Sequence, residues 1–342
     1  MGKRVTIQDL AKELDTTPST ISRALHDHPG ISKTMTKKVK ELAKKRNYRV
    51  NSVASSLRAG KSKTIGVIVP MINRDFFANV ISGIEDVAFQ NGFNVIICQS
   101  DNKVEKEIQH INTLISSGVA GVLVSLGFDT TDYAPFNKIS QLGIPLIFFD
   151  RAPEHEKSIK IVNNDKAGAY KAVKHLIEMG YQRIAHLCGP SNLPLYKERK
   201  EGYLDALRDA GLPVEERLII THNLTREAGY NITKKLMKYK NPPDAIFSAS
   251  DYSALGALLY LKEERIKVPE EVGIVGFSNE GFTKLTGPEL STVDQHGKEI
   301  GKYSAKVFFE EMASDVFIPR TIILDPKLIV RRSSLRNQKL SD

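Results

Sequence analysis

The sequence predicts a multidomain chain: an all-α helix-turn-helix head with a short hinge helix, then an α/β core built on two parallel sheets. Three observations predict this. Residues Thr6 to Arg23, TIQDLAKELDTTPSTISR, read as two short amphipathic helices around a tight turn. The charge is segregated: residues 1–63 hold 15 Lys+Arg against 5 Asp+Glu, while the rest hold 34 against 35. From Thr64 onward, apolar runs of strand length alternate with helical stretches, and the alternation occurs in two successive sets. With 342 residues, two or three domains are expected.

In the head, Thr6 caps a first helix carrying Ile7, Leu10, Ala11 and Leu14 on one face. Asp15 falls where the turn needs a left-handed residue. Thr17 caps the second helix, and Pro18 takes its first position, where a missing N–H costs nothing. Pro18, Ser19, Thr20 and Arg23 face outward as candidates for the major groove, with Arg23 able to fork onto guanine or phosphate. Thr6, Thr17, Ser22 and Ser32 are candidates for positioning the head on phosphates. Ser32 caps a third helix, whose Met35, Val39, Leu42 and Ala43 close a three-helix core. A basic head on a near-neutral body points to double-stranded DNA as the partner.

Val50 to Gly60 shows weak helical periodicity in a segment too short to be stable alone in water, and a basic tether follows. The strand runs TIGVIVP, FNVIICQ, AGVLVSL and IPLIFFD come next, separated by helices near 75–91, 103–117 and 132–142. RIAHLCG, DAIFSAS and VGIVGFS form the second set, and a helix near 296–313 with RTIILD and KLIVRR closes the fold. The boundaries are therefore 1–49 for the head, 50–63 for hinge helix and linker, 64–332 for the core and 333–342 for a polar tail.

Ligands of open α/β sheets bind beyond the carboxyl ends of strands. Those ends bring forward Phe76 and Phe77 after the first strand, Asp150 with Arg151 after the fourth, and Asp251 and Ser278 in the second set. Aromatic faces, carboxylates and hydroxyls suit a polyhydroxylated small molecule. Asp251 also suits the cap of DYSALGALLYL, and Asp165, before KAGAY, the cap of the helix that follows it at the crossover between the two sets. Cys98 and Cys188 lie in separate apolar runs and read as reduced core residues. No signal peptide and no membrane-length run is present, so a soluble, cytoplasmic protein is expected. No catalytic, metal or cofactor motif stands out: the eight His are scattered and no G-x-G-x-x-G opens a helix. A regulator is expected, not an enzyme.

With VASSL, IGVIVP, GVAGVLV, RKEGYLDAL, ASDYSALGAL and LSTVDQ added to the N-terminal motif, the chain resembles the LacI/GalR family of bacterial transcription regulators from Thr6 to about Arg332. The resemblance implies two lobes like periplasmic sugar-binding proteins, joined by three crossovers, at about 64–162 with 293–320 and 163–292 with 321–332. It implies an effector, a sugar or related metabolite, in the cleft between them, and a homodimer gripping a palindromic operator. Arg199 lies at the family's position for a cleft arginine, and Leu224 where relatives often have an aromatic residue. It also implies that Leu57 wedges into the central base step, with Ala54 and Ser55 small enough for close approach. Ser278 departs from the Asp that many members carry, and His26 from an Asn that often contacts phosphate. The absence of a leucine-heptad tail favours a dimer over a tetramer.

Overall fold

Side-chain caps set the starts of three N-terminal helices, α1 (Ile7–Glu13), α2 (Pro18–Leu25) and α3 (Lys33–Lys45). Thr6 and Asp9 form a reciprocal capping box, with Thr6 N–H donating to Asp9 Oδ2 at 2.8 Å and Asp9 N–H to Thr6 Oγ1 at 3.3 Å. Thr17 accepts from the Thr20 N–H and Ser32 from the Met35 N–H, each at 3.2 Å. Asp15 turns the chain between α1 and α2 at φ 47. Leu10, Ala11, Ile21, Ala24, Val39 and Ala43 are buried together, with Met35 and Leu42 packed against them. The computed structural model describes residues 5–48, 62–154 and 157–336, and it divides into two units, residues 1–62 and 63–342. Ala54, Ser55 and Leu57 lie outside the described residues.

In chain order the second unit begins with β1 (Thr64–Val69), α4 (Asp75–Gln90), β2 (Asn94–Gln99), α5 (Val104–Ser116), β3 (Gly121–Val124), α6 (Ala134–Gln141), β4 (Leu146–Phe149) and β5 (Ile159–Asn163). It continues through α7 (Asp165–Glu178), β6 (Ile184–Cys188), α8 (Pro194–Asp209), β7 (Ile219–Thr221), α9 (Arg226–Leu236), β8 (Ala245–Ser248), α10 (Asp251–Glu263), β9 (Gly273–Phe277) and β10 (Ser291–Asp294). It closes with α11 (Gly297–Ala313), β11 (Arg320–Leu324) and β12 (Lys327–Ile329).

Two six-stranded sheets result, ordered β11-β5-β4-β3-β1-β2 and β12-β10-β9-β8-β6-β7. Every pairing is parallel except β12 with β10. Helices cover both faces of the central strands, which is why β3, β4, β6, β8 and β9 are buried at every residue instead of alternating. Helices α4 and α11 approach backbone to backbone, since a Cβ on Gly83 would collide with the Lys298 carbonyl and one on Gly301 with the Val80 carbonyl.

The chain crosses between the sheets three times: after Asn163, after Asp294 and between Leu324 and Lys327. The last two crossings correct the lobe boundaries expected at 292/293 and 320/321. Strand β10 stays with the second sheet through Asp294, and β11 pairs residue for residue with β5 from Arg320↔Ile159 to Leu324↔Asn163. The run RTIILD has no internal breaker, and its Ile322 and Leu324 pack against the first sheet's core. The switch therefore waits for Asp325-Pro326. The first lobe is thus β1–β5, β11, α4–α6 and α11, and the second is β6–β10, β12 and α7–α10.

Cys98 is half-buried and Cys188 buried, both as free thiols, and burial pushes the Cys188 thiol up to about 12. Among the described residues no helix is long and apolar enough to cross a membrane.

Candidate functional site

The head presents α2 as its candidate reading surface. Pro18, Ser19 and Arg23 are exposed, and Thr20 and Ser22 are half-buried on the same helix. The buried face of α2, Ile21 and Ala24, fixes their orientation through the three-helix core. The capping hydroxyls are partly committed. Thr6 Oγ1 donates to Asp9 at 2.7 Å, which spends the proton a phosphate would need, while Thr17 and Thr20 share a hydroxyl pair at 3.0 Å. His26 folds back onto the Ser22 carbonyl, its Nδ1 2.8 Å away. Two of the head's acids are paired internally, Glu13 with Arg46 at 2.9 Å and Asp27 with Lys40 at 2.6 Å. These ties leave the exposed Lys33, Lys37 and Lys38 to dominate the field at the start of α3.

In the second unit a cavity of about 290 Å³ opens between the lobes at the carboxyl ends of the strands. Seven residues brought forward from sequence line it together: Phe76, Phe77, Asp150, Arg151, Arg199, Leu224 and Ser278. Three of them, Asp150 at φ 55, Leu224 at φ 56 and Ser278 at φ 127, hold left-handed backbone that non-glycine residues rarely adopt. Strain of this kind gathers where a backbone must be aimed rather than relaxed. Phe76 and Phe77 meet edge to face at 5.1 Å in the first turn of α4.

Arg199 is 3% exposed and fully oriented. Its Nε and Nη2 each lie 2.7 Å from Asp165 Oδ1, its Nη1 donates to the Ala249 carbonyl at 2.7 Å, and its plane sits 3.7 Å from the Phe277 ring centroid. Asp165 thus holds the arginine and does not cap α7. Asn164 makes that cap, accepting from the Ala167 N–H at 3.1 Å. Burial pushes the Asp165 carboxyl up to about 7, with Arg199 pulling it back down. Burial likewise raises Asp150 against the pull of Arg151 and Arg199. Asp150 has only long side-chain contacts, 3.4 Å to Ser125 Oγ and to Gln295 Nε2 and 3.9 Å to Arg151 Nε, and this leaves lone pairs for incoming hydroxyls.

Asp251 is a correction. It is fully buried outside the cavity wall, taking the Thr292 hydroxyl at 2.6 Å and the Glu280 N–H at 2.9 Å. It does not cap α10 either, since the capping position belongs to Ser250, which makes no side-chain cap bond. Burial pushes Asp251 up to about 7, with the Thr292 hydroxyl opposing. A strand-end carboxylate can turn toward ligand or beneath the floor, and the Thr292 hydroxyl on β10, two strands from β8, draws this one under.

Several wall residues went unassigned in the sequence, and two of them tie the lobes together. Gln295, in the crossover before α11, accepts from Ser278 Oγ at 2.9 Å and donates toward Asp150, linking both lobes by one amide. The Gln of LSTVDQ was visible, but nothing local marked it as facing the cleft. Glu280 is the other. At the mouth, the Asp75 N–H donates to Glu280 Oε2 at 2.8 Å, and the Gly281 N–H donates to Asp75 Oδ2 at 2.6 Å. Helix α4 has no side-chain cap of its own at Arg74, so the second lobe caps the first lobe's helix. This clasp ties the two lobes together across the mouth of the cleft. Asp75→Ala removes one of its bonds and is expected to weaken effector binding about five- to tenfold in calorimetric titration. An unchanged affinity would show that the lobes close without it.

Comparison with known proteins decides the family. Residues 6–51 match "Bacterial regulatory proteins, lacI family", and residues 62–329 match "Periplasmic binding proteins and sugar binding domain of LacI family". The chain belongs to the lacI family of bacterial regulatory proteins. It is 31% identical to the HTH-type transcriptional repressor PurR of Actinobacillus pleuropneumoniae over 96% of this chain and 98% of that one. It is 28% identical to catabolite control protein A of Priestia megaterium over 96% and 99%. Among solved structures, the transcriptional regulator CelR–cellobiose complex superposes with a TM-score of 0.73 at 25% identity, covering 96% of this chain and 100% of that one. The lac repressor dimer bound to operator and the anti-inducer ONPF shares the fold with a TM-score of 0.84 at 22% identity, over 97% and 100%. As a lacI-family member the chain is a DNA-binding regulator of transcription with a ligand-binding core, and not an enzyme.

Proposed function

We propose that the protein is a cytoplasmic transcriptional repressor that binds a palindromic operator as a homodimer. Its affinity for that operator is set by a sugar or sugar derivative held between the lobes. The observation that carries the reading is the cavity itself: aromatic faces at Phe76 and Phe77, an under-bonded Asp150, and a guanidinium fixed by Asp165. This mixture takes the C–H face of a ring and pairs of hydroxyls at once. The relative whose structure holds cellobiose supports a carbohydrate effector.

The partner copy has a place to dock. Edge strand β2 presents exposed Ile96 and Ile97, and Ile72, Phe89 and Ile108 are exposed on the same lobe. An uncovered strand edge with an apolar surround fits a second copy of this chain. In the proposed mechanism the effector selects one arrangement of the two lobes, and the dimer passes it to the spacing of the two hinges.

The test is capture of genomic fragments by the purified protein at near-physiological salt. A shared palindrome with a flexible central step is expected, and fragments without a symmetric site would overturn dimeric reading. On that site Leu57→Ala is expected to weaken specific binding by roughly tenfold or more while leaving the salt slope on random DNA unchanged. Equal losses on random and specific DNA would remove the wedge role from Leu57.

A further inference from the structure

The three arginines that line the cleft differ in how much of their hydrogen-bonding capacity the protein uses. Arg199 commits three of its five N–H donors to Asp165 and the Ala249 carbonyl. Arg151 donates through Nη1 to Asn102 Oδ1 at 2.5 Å and toward the Leu126 carbonyl at 3.4 Å, and it lies 4.3 Å over the Phe128 ring. Arg74 is different. Its guanidinium sits 3.3 Å from the ring centroid of Tyr252, on the opposite lobe, and Phe282 braces that ring edge-on at 5.0 Å. Its Nη1 is buried in the cavity wall with no hydrogen-bond partner among the described residues.

A buried cationic N–H without an acceptor is costly, and native proteins leave few of them. Stacking on Tyr252 fixes the plane of the fork without supplying an oxygen, because a ring face satisfies the charge and leaves the in-plane N–H groups free. The nearest acid on the wall, Glu280, already takes the Asp75 N–H at the start of α4, and Asp75 takes the Gly281 N–H. Burial raises the Glu280 carboxyl and Arg74 is near enough to pull it back down, yet Arg74 Nη1 makes no hydrogen bond to it. The acceptor this guanidinium lacks is left for the ligand to bring.

We infer that the effector carries an anionic oxygen group, phosphoryl or carboxylate, which Arg74 binds at the mouth of the cleft. The inference rests on the carbohydrate reading above and narrows it from neutral sugars to sugar phosphates or sugar acids. Tyr252 holds the guanidinium from the second lobe while Arg74 belongs to the first, so the anion is gripped only when the lobes are closed. Its charge is thereby coupled to the closed arrangement.

Calorimetric titration of the full-length protein with neutral mono- and disaccharides, the matching sugar phosphates and the matching sugar acids tests this. The wild type is expected to prefer one anionic form over its neutral parent by about tenfold or more, the range of a charge-assisted hydrogen bond. Arg74→Gln is expected to erase that preference, lowering the affinity of the anionic form about tenfold more than that of its neutral parent. Which anion wins separates phosphoryl from carboxylate. Equal binding of neutral and anionic forms by the wild type overturns this inference and leaves the carbohydrate reading standing. So does a preference that survives in Arg74→Gln, since the anion would then be held elsewhere. A wild type that binds no member of the panel overturns both.

Discussion

Arg199→Ala is expected to lower the stability of the ligand-binding unit by about 3–5 kcal/mol, because it removes one partner of a buried ion pair and leaves the other uncompensated. Asp165 is 2% exposed, and its Oδ1 takes both the Nε and Nη2 donors of Arg199 at 2.7 Å. The same change strips the cleft of the guanidinium lying 3.7 Å from Phe277, so effector affinity is expected to fall by roughly two orders of magnitude. Thermal unfolding and calorimetric titration read the two losses separately. The double variant Arg199→Ala/Asp165→Asn discriminates between them: removing the orphaned charge is expected to restore much of the stability and none of the binding. Binding that returns with stability would mean that Arg199 acts only by holding the fold.

Ile21→Ala is expected to abolish DNA binding on every sequence while leaving effector binding intact. Ile21 is fully buried in the head, in a cluster of six buried apolar residues among the described ones. Truncating such a side chain costs about 2–5 kcal/mol, and a unit of this size has only a few kcal/mol to lose. The ligand-binding unit has its own cores and its own contacts, so its unfolding transition is expected to stay where it was. Circular dichroism, DNA binding at low salt and effector titration together make the check. Retained binding on random DNA would mean that the head tolerates the cavity, and that α2 is less dependent on this core than its packing implies.

The head was legible almost residue by residue because its determinants are local. Thr6, Thr17 and Ser32 each satisfy an N–H within three positions, and Asp15 supplies its own left-handed turn. Nothing distant has to be known to place them. The two parallel sheets were legible for a related reason, since strands buried on both faces read as continuous apolar runs between amphipathic helices. The cleft was legible in part. Strand ends and family position brought out seven wall residues, because parallel topology always delivers those ends to the same crevice.

Orientation within the crevice was a different matter. Asp251 and Asp150 both follow strands of their sheets, yet one lies under the floor on Thr292 and the other faces the cavity at φ 55. Glu280 caps a helix whose first residue lies 205 positions earlier, and Gln295 joins Ser278 to Asp150 across the lobes. By itself the sequence determined a DNA-reading head, two doubly wound sheets and the strand ends that meet between them, because caps, turns and burial periodicity act over a few residues. Only the tertiary structure decided where β11 belongs, which carboxylate is spent on the fold, which arginine is left without an acceptor and what closes the cleft. Each of those outcomes depends on a partner brought close by the crossovers, and no spacing along the chain encodes that distance.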